Sequence, residues 1–423
     1  WSERFEGVRD LAADSTPDRS TPVLLGAIAV LIGVVVLSPL LWLLIKTQSI
    51  PTGRLLSLLT SDTTLQVTLN SIILVAVVTI LSIFVGVPLA ILTARTDLPF
   101  RRFWTITSAL PLVVPSYIGA FAFVSAFGPR GELAGLLGPL GIEQIPSIYG
   151  LHGAVIVLTF FTYPYVFLTT RAALLSFDGS LVEAARTLGD DRWAAFRRVV
   201  LPRIGPAVAA GALLVALYTL SDFGTPAIMQ LEVFTQAIYV EYGAFRRGFA
   251  ALLSLQLVAV TLVVLAVEST IEADDRAAYE GRGNRSSARI RLGRWTGPAL
   301  AFCALVVGLA LVLPLTVLGW WLLRGSAYSG FAFEWSFAAN SVYASSLAAL
   351  ACVAAAIPVA YLSARSDSRL ARLVERATYV GYAIPGIVVG LALVSFGIRA
   401  VPGLYQTVPL LVFAYVVRFL PVA

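Results

Sequence analysis

Residues 70–97 read NSIILVAVVTILSIFVGVPLAILTARTD, and residues 340–367 read NSVYASSLAALACVAAAIPVAYLSARSD. At an offset of 270 residues, the two stretches share an Asn-Ser start, a proline inside the apolar run and an Ala-Arg-x-Asp end. Each run exceeds the roughly 20 residues that an α-helix needs to cross a bilayer. The chain therefore contains two copies of one membrane-spanning unit. Both copies run in the same direction, as in a parallel duplication.

The composition places the rest of the chain in a membrane as well. Of 423 residues, 58% are apolar and 13% are charged, and the mean hydropathy is +0.86. A soluble domain is about half apolar and about a quarter charged. These values exclude an ordinary soluble domain, and they also exclude a disordered chain, which needs low hydrophobicity and high charge.

Apolar runs long enough to be candidate membrane helices recur along the chain. They cover 23–45, 65–94, 103–127, 150–170, 204–221, 250–267, 296–323, 338–364, 377–398 and 406–423. If the N-terminus is cytoplasmic, the cytoplasmic segments hold 22 Lys and Arg residues and the external segments hold seven. This asymmetry predicts a multi-pass protein of the inner or plasma membrane with a cytoplasmic N-terminus. The net charge of +6 is thus explained by topology, without a nucleic-acid partner.

The predicted fold class is an all-α membrane protein, a polytopic bundle of two duplicated halves. The predicted segments are a cytoplasmic N-terminal stretch (1–22), a first half (23–270), a polar cytoplasmic linker (271–295) and a second half (296–423). Lipid surrounds the spans, and the Arg-rich linker suits a contact with anionic headgroups.

The longest cytoplasmic stretch of the first half carries a spaced motif. Its pattern, E-A-A-x3-G-x9-[I/V]-x-L-P, begins at Glu183 and ends at Pro202. Good helix formers precede Gly189, which ends or kinks the helix. A second short helix is expected over 192–200, and a proline suits the first turn of the membrane helix that follows. An ordinary amphipathic interfacial helix is the alternative reading of the spacing alone.

This pattern resembles the EAA loop of the permease subunits of binding-protein-dependent ABC importers, here at 177–203. The resemblance implies that the loop docks on a separate ATPase subunit and that its last two motif residues seat it against the next helix. The coupling residues carried over are Glu183, Ala184, Ala185, Gly189, Leu201 and Pro202. Two fused halves, with Ser-Asp-Phe-Gly-Thr at 221–225, look most like the ferric-iron permeases. Thiamine and phosphonate permeases share a fused or related layout.

The second half lacks a matching EAA loop. At the offset of 252 residues that relates Phe161-Thr-Tyr163 to Phe413-Ala-Tyr415, a second glutamate would fall near position 435. We therefore expect the second half to be incomplete at its C-terminal end, with about ten of about twelve spans present. A natively degenerate second half is the alternative.

No enzymatic constellation is present in the sequence. A P-loop needs Gly-x4-Gly-Lys-[Ser/Thr], and Lys46, the only lysine, follows Ile45. His152 is the only histidine, and Cys303 and Cys352 lie in separate apolar runs without metal-ligand spacing. We expect no metal or cofactor on this chain, with ATP and Mg²⁺ held by partner ATPase subunits, two in number.

A few polar residues are candidates for the substrate path and for partner docking. Polar groups at membrane depth are costly and often functional, which selects Asp222, Tyr163 and Tyr218. An Asp that only ends a helix and tyrosines that only mark the interface are the alternatives. The external segment 225–249 is the expected docking surface for an extracytoplasmic binding protein, with Glu241, Arg246 and Arg247.

The sequence thus predicts the permease subunit of an ATP-driven importer, most specifically for ferric iron. Permeases for thiamine, phosphonate or another small solute are the alternatives within the class. An ion-coupled secondary transporter would need more intramembrane acids and has no use for the EAA loop. A membrane-embedded enzyme is disfavoured because paired His or Asp/Glu at membrane depth are lacking.

Overall fold

The computed structural model describes residues 23–48, 51–128, 131–132, 147–177, 180–189, 191–273, 289–324, 334–366 and 368–423. Within these ranges the chain is helical, and its one isolated β-bridge pairs Thr96 with Ile290. The predicted all-α class is confirmed. The chain forms two compact units, one of residues 47–332 and one of residues 1–46 together with 333–423.

The larger unit contains most of the first repeat. Its helices are α2 (Thr52–Leu59), α3 (Asp62–Arg95), α4 (Arg101–Ala109), α5 (Ser116–Phe127), α6 (Leu151–Ser176), α7 (Ser180–Thr187), α8 (Arg192–Ala195), α9 (Leu201–Ser221), α10 (Gly224–Ile228), α11 (Phe234–Gly243), α12 (Arg247–Ala273), α13 (Thr296–Val307) and α14 (Leu313–Arg324). The stretch from 296 to 324 therefore belongs to this unit, although the sequence repeat assigns it to the second half.

The centre of the larger unit is the packing of α3, α6 and α9. The α3 and α6 helices approach closely at Gly86, where an added Cβ would lie 2.9 Å from the Phe167 nitrogen and 3.0 Å from the Tyr163 oxygen. A buried hydrogen bond between the hydroxyls of Ser82 and Thr162, 3.1 Å apart, joins the same two helices. Small and hydroxyl side chains at a helix crossing are typical of membrane bundles, because lipid gives apolar side chains no reason to associate.

The predicted span over 103–127 is not a straight helix. The α4 helix continues as a 3-10 turn (Leu110–Val113), and α5 then leaves at an angle of 98°. Pro115 explains the break, because a proline lacks a backbone N–H and forces the residue before it into extended conformation. Val114 is extended accordingly, with φ −89° and ψ 121°.

The smaller unit contains the second repeat. Its helices are α1 (Val23–Gln48), α15 (Trp335–Arg365), α16 (Arg369–Ala383), α17 (Gly386–Ala400) and α18 (Val408–Phe419). A small core joins α1 to α15 and α16 and consists of Ala29, Val359, Leu362, Ala371 and Val374. Most of α1 therefore packs with the second repeat, although the predicted first half begins with it.

The two repeats adopt the same local geometry. Pro115 precedes α5 with φ −57° and ψ 134°, and Pro385 precedes α17 with φ −54° and ψ 137°. Each proline carbonyl accepts hydrogen bonds from the residues three and four positions later. Pro88 lies inside α3 as Pro358 lies inside α15. The sequence offset of 270 residues thus marks equivalent positions in space.

The described residues do not confirm the prediction of ten spans. Six helical segments of the described residues are long and apolar enough to cross a membrane, or seven if the bent pair at Pro115 is one span. The six are Asp62–Arg95, Leu151–Ser176, Phe196–Ser221, Arg247–Ala266, Gly293–Leu323 and Trp335–Arg365. The runs predicted at 23–45, 377–398 and 406–423 contain shorter apolar segments, so ten spans are not confirmed.

The close crossing at Gly86 generates a stability prediction. Gly86→Ala should lower the free energy of unfolding by about 1–3 kcal/mol, because the new methyl group would meet two backbone atoms and the Cβ of Val166, none of which can easily move away. Gly205→Ala is the matched control, since nothing lies within 4 Å of its added Cβ and alanine favours the helix by up to about 1 kcal/mol. Thermal unfolding of both purified variants in detergent is the measurement. Equal melting temperatures would contradict the close crossing.

Candidate functional site

The EAA motif forms two short helices that project from the core of the larger unit. We call residues 180–189 and 191–195, which comprise α7 and α8, the EAA elbow. The α7 helix has no buried residue, and Glu183 and Ala184 are exposed. Ala185 is half-buried, whereas Leu188 is 89% exposed. An apolar side chain this exposed beside the motif leaves a surface open to a partner.

Gly189 provides the turn between the two helices of the elbow. Its φ is +100°, in the left-handed region that favours glycine. The preceding backbone closes the end of α7, because Leu188 N–H donates to the Ala184 carbonyl at 3.1 Å and Gly189 N–H donates to that of Arg186 at 3.2 Å. The motif glycine is therefore required by backbone geometry, as expected from a helix end.

The second arm of the elbow runs into the membrane helix without interruption. Asp191 caps α8 by accepting the Ala194 N–H at 2.6 Å. A π-helical turn (Phe196–Val200) follows, and Leu201 N–H donates to the Phe196 carbonyl, five residues back. As predicted from the sequence, Pro202 lies in the first turn of the membrane helix α9. The π turn precedes this helix without a break, so the helical run is continuous from Phe196 to Ser221.

The π turn explains how a proline fits inside that run. A proline ring clashes with the carbonyl four residues earlier and leaves one backbone acceptor without a donor. A wider turn at this point relieves the clash, because its hydrogen bonds span five residues instead of four. Leu201 and Pro202 thus lie in the rod that joins the elbow to α9.

The opposite end of α9 carries Asp222 in a polar cluster. Its carboxylate accepts the Ser116 hydroxyl at 3.1 Å and the Thr225 N–H at 3.2 Å. The Ser116 oxygen in turn accepts the Tyr218 hydroxyl at 3.1 Å. The Thr235 hydroxyl donates to the Asp222 carbonyl at 2.8 Å. We call Ser116, Tyr218, Asp222, Thr225 and Thr235 the Asp222 cluster.

The Asp222 cluster lies exactly where α5 begins after the break at Pro115. Sequence reasoning selected Asp222 and Tyr218 and missed Ser116 and Thr235, which are far away in sequence. The position of Ser116 after a repeated proline was the available signal. Desolvation raises the pKa of the half-buried Asp222 carboxyl above its ordinary value, and the hydrogen bonds from Thr225 and Ser116 oppose this shift only partly.

Tyr163 is not part of this cluster. It is a fully buried residue of α6, in a core that also contains Leu89, Phe167 and Ile204. Its neighbour Tyr165 approaches the cluster instead, with its ring centroid 6.0 Å from that of Tyr218. The structure therefore brings together two of the three predicted path residues.

The predicted docking residues lie together at the end of α11. Glu241 is buried and accepts two contacts from the exposed Arg246 guanidinium, at 2.5 and 2.7 Å. The Arg247 guanidinium lies 5.7 Å from the centre of the Tyr242 ring. Because the Arg246 charge is matched by Glu241, Arg247 is the better candidate for contact with a partner. Their docking role stays a prediction.

Among the described residues, no group of three or more His, Cys, Asp or Glu side chains is placed to hold a metal ion. Cys303 and Cys352 are both buried and unbridged.

Comparison with known proteins shows which family has a similar sequence. Residues 82–271, which include the EAA elbow and the Asp222 cluster, match the family of binding-protein-dependent transport system inner membrane components. This part of the chain is therefore similar to the permeases of that family. The permeases of this family belong to ABC importers, so the resemblance on which the EAA assignment relied is confirmed at the level of the family.

Two curated relatives extend the match. The permease is 27% identical to the Fe(3+)-transport system permease protein FbpB 2 of Haemophilus influenzae, over 96% of this chain and 78% of that protein. It is 29% identical to a probable molybdenum ABC transporter permease protein of Haloferax volcanii, over 49% of this chain and 75% of that protein.

A solved structure is similar over part of the permease. It is a bacterial alginate ABC transporter in complex with an alginate pentasaccharide-bound periplasmic protein. The sequence identity is 16% and the TM-score is 0.45, over 58% of this chain and 90% of that chain.

The burial of Asp222 generates a pH prediction. Because its pKa is raised in the folded protein, the folded state binds the proton more tightly than the unfolded state does. This contribution to stability is complete below the ordinary carboxyl pKa and is lost as the pH rises through the folded pKa. Wild type should therefore lose stability relative to Asp222→Asn as the pH rises from the ordinary carboxyl pKa of about 4 through the raised pKa of the folded protein. Melting temperatures of both proteins across this range are the measurement. A constant difference would contradict the raised pKa.

Proposed function

We propose that this permease moves ferric iron across the membrane and that ATPase subunits drive it through the EAA elbow. The observation that carries the proposal is one continuous helical run. It starts at the exposed elbow and ends at the half-buried carboxylate of Asp222.

The elbow has the properties of a docking surface for an ATPase. Its outer residues combine a carboxylate, a small methyl side chain and an exposed leucine, at Glu183, Ala184 and Leu188. Interfaces use such exposed apolar anchors, and small residues let a partner approach closely. The chain has no P-loop of its own, so ATP and Mg²⁺ are held by the partner subunits, of which there are two.

The path from the elbow to the cluster is short and direct. A helix transmits displacement along its axis because its backbone hydrogen bonds are satisfied within it. The α9 helix also packs against α3 and α6, so a movement of the elbow acts on the centre of the larger unit. Rocking of packed elements around a fixed site is the usual basis of alternating access.

Ferric iron as cargo is supported by the extent of the similarity. The iron permease of Haemophilus influenzae matches nearly the whole chain, whereas the molybdenum permease matches about half of it. The Asp222 cluster offers a carboxylate and hydroxyls, which are hard oxygen ligands suited to a hard cation. A single acid binds weakly, and weak binding suits a path from which cargo must leave. Molybdate, thiamine and phosphonate are the competing cargoes.

The orientation of the chain in the membrane and the side on which each partner binds follow from the same proposal. The N-terminus lies in the cytoplasm of a cell with an extracytoplasmic binding protein, which delivers cargo near Arg247. The ATPase side is then the side of the elbow and of the linker (271–295).

Uptake measurements test the cargo. Cells that lack the gene should lose uptake of radiolabelled ferric iron, while uptake of labelled molybdate and thiamine stays unchanged. Restoring the gene should restore iron uptake. Unchanged iron uptake in the deletion strain, with loss of molybdate uptake, would replace iron by molybdate and leave the permease assignment in place.

Substitutions in the elbow test the coupling. Glu183→Arg and Gly189→Pro should each abolish uptake, because one reverses the charge of the docking surface and the other cannot adopt φ +100°. Membrane insertion should be normal. Glu334→Arg, at an exposed acid before α15, is the control and should transport normally. Co-purification with the ATPase and uptake in the same cells are the measurements. Normal uptake by both elbow variants would refute the coupling role.

A further inference from the structure

The end of α3 contacts the root of the EAA elbow. Arg95, the last residue of α3, donates a hydrogen bond from Nη2 to the Phe177 carbonyl at 3.0 Å. Its guanidinium carbon also lies 5.2 Å from the centre of the Phe177 ring. Phe177 directly follows α6 and lies three residues before α7. One side chain thus holds both the backbone and the ring of the residue from which the elbow departs.

The same turn of chain is paired with the end of the linker. The Arg95 carbonyl accepts the Ile290 N–H at 2.9 Å, and Asp97 N–H donates to the Ile290 carbonyl at 3.2 Å. The Asp97 carboxylate accepts the Leu292 N–H at 2.9 Å. These contacts join residues nearly 200 positions apart in the chain. The segment that they hold leads directly into α13.

Two buried side chains next to Arg95 anchor the end of α3 in the core. Thr96 is 3% exposed, and its hydroxyl donates to the Leu92 carbonyl at 2.6 Å. Leu98 is 2% exposed and packs in one core with residues of α6, α9 and α13, namely Leu174, Ile204 and Ala299. The helices α3, α6, α9 and α13 therefore meet near Arg95, the last residue of α3.

The repeat provides an internal comparison. Arg365 ends α15 at the position equivalent to Arg95. Its guanidinium lies 5.4 Å from the ring centre of Tyr361, four residues earlier in the same helix. In α3 the residue four positions before Arg95 is Ile91, so this ring contact is not available to Arg95 within its own helix. Arg95 contacts the ring and the carbonyl of Phe177, which is 82 positions away in the chain.

We propose that Arg95 is a positioning residue that fixes the root of the EAA elbow to α3 and to the linker end at Ile290–Leu292. We call this contact the Arg95 joint. The inference rests on the proposed coupling role of the elbow. When the ATPase displaces the elbow, the joint passes the displacement to α3 and to the chain that leads into α13. Without the joint, the elbow would move at its root while the membrane helices stay in place.

Arg95→Gln and Arg95→Lys distinguish the contribution of the positive charge from that of the planar guanidinium. Glutamine removes the charge and the ring contact. Lysine keeps the positive charge and can still donate a hydrogen bond to the Phe177 carbonyl, but it lacks the planar guanidinium. Arg102→Gln is the matched control, because Arg102 is an exposed arginine at the start of α4, seven residues after Arg95. Phe177→Leu is a second route to the same loss, since it removes the ring and leaves the carbonyl.

The first measurement is a distance that does not depend on transport. Spin labels on Leu188→Cys and Phe103→Cys, in a full-length chain in which Cys303 and Cys352 are replaced by alanine, report the position of the elbow in lipid nanodiscs. Arg95→Gln and Phe177→Leu should broaden the distance distribution, and Arg102→Gln should leave it unchanged. Unchanged distributions in both Arg95→Gln and Phe177→Leu would overturn the proposal.

The second measurement is the ratio of iron transported to ATP hydrolysed in the assembled transporter. A hydrogen bond from a charged donor contributes enough to change a coupled equilibrium about tenfold, so Arg95→Gln should lower this ratio roughly tenfold. Arg95→Lys should lie between that value and wild type. If Glu183→Arg uncouples transport and Arg95→Gln does not, the proposal is wrong and the elbow assignment stands. If neither uncouples it, the coupling role of the elbow itself fails.

Discussion

A bilayer offers no water to a backbone amide, so every break in a membrane helix must be satisfied by the protein itself. This constraint explains where the polar groups of the permease lie. At Pro115 the helix turns by 98°, and the residue after the break, Ser116, bonds to Asp222. Pro202 has no backbone N–H to donate, and the π turn before it spaces the helical hydrogen bonds five residues apart instead of four. The interrupted backbone and the candidate functional residues therefore occupy the same places.

The α9 helix connects the exposed elbow to the carboxylate of Asp222, and 30 to 40 residues separate the two in the sequence. At one end the elbow exposes Glu183 and Leu188 to a partner, and at the other end Asp222 is enclosed by hydroxyls. The Arg95 joint ties the exposed end to α3, and Gly86 brings α3 against α6. Direct contacts thus link the base of the elbow to α3, and α3 to α6.

Much of the fold follows from the sequence because it depends on local order. The offset of 270 residues predicted equivalent prolines, and Pro115 and Pro385 have nearly the same backbone angles. The EAA spacing predicted two short helices and a glycine turn. The contacts of Ser116 with Asp222 and of Arg95 with Phe177 were missed, because residues 106 and 82 positions apart meet only through tertiary packing. The packing of α1 with the second repeat was missed for the same reason.

The π turn at Phe196–Val200 has a consequence for how the elbow is aimed. Each residue of an α-helix advances the chain by about 100° around the axis, and a π turn holds one residue more than an α turn. The direction in which the elbow points, relative to the face of α9 that carries Asp222, is therefore set by a single inserted residue. Gain or loss of one residue there would swing the whole elbow around the helix axis without altering its chemistry. The turn therefore sets the angle between the exposed elbow and the Asp222 cluster.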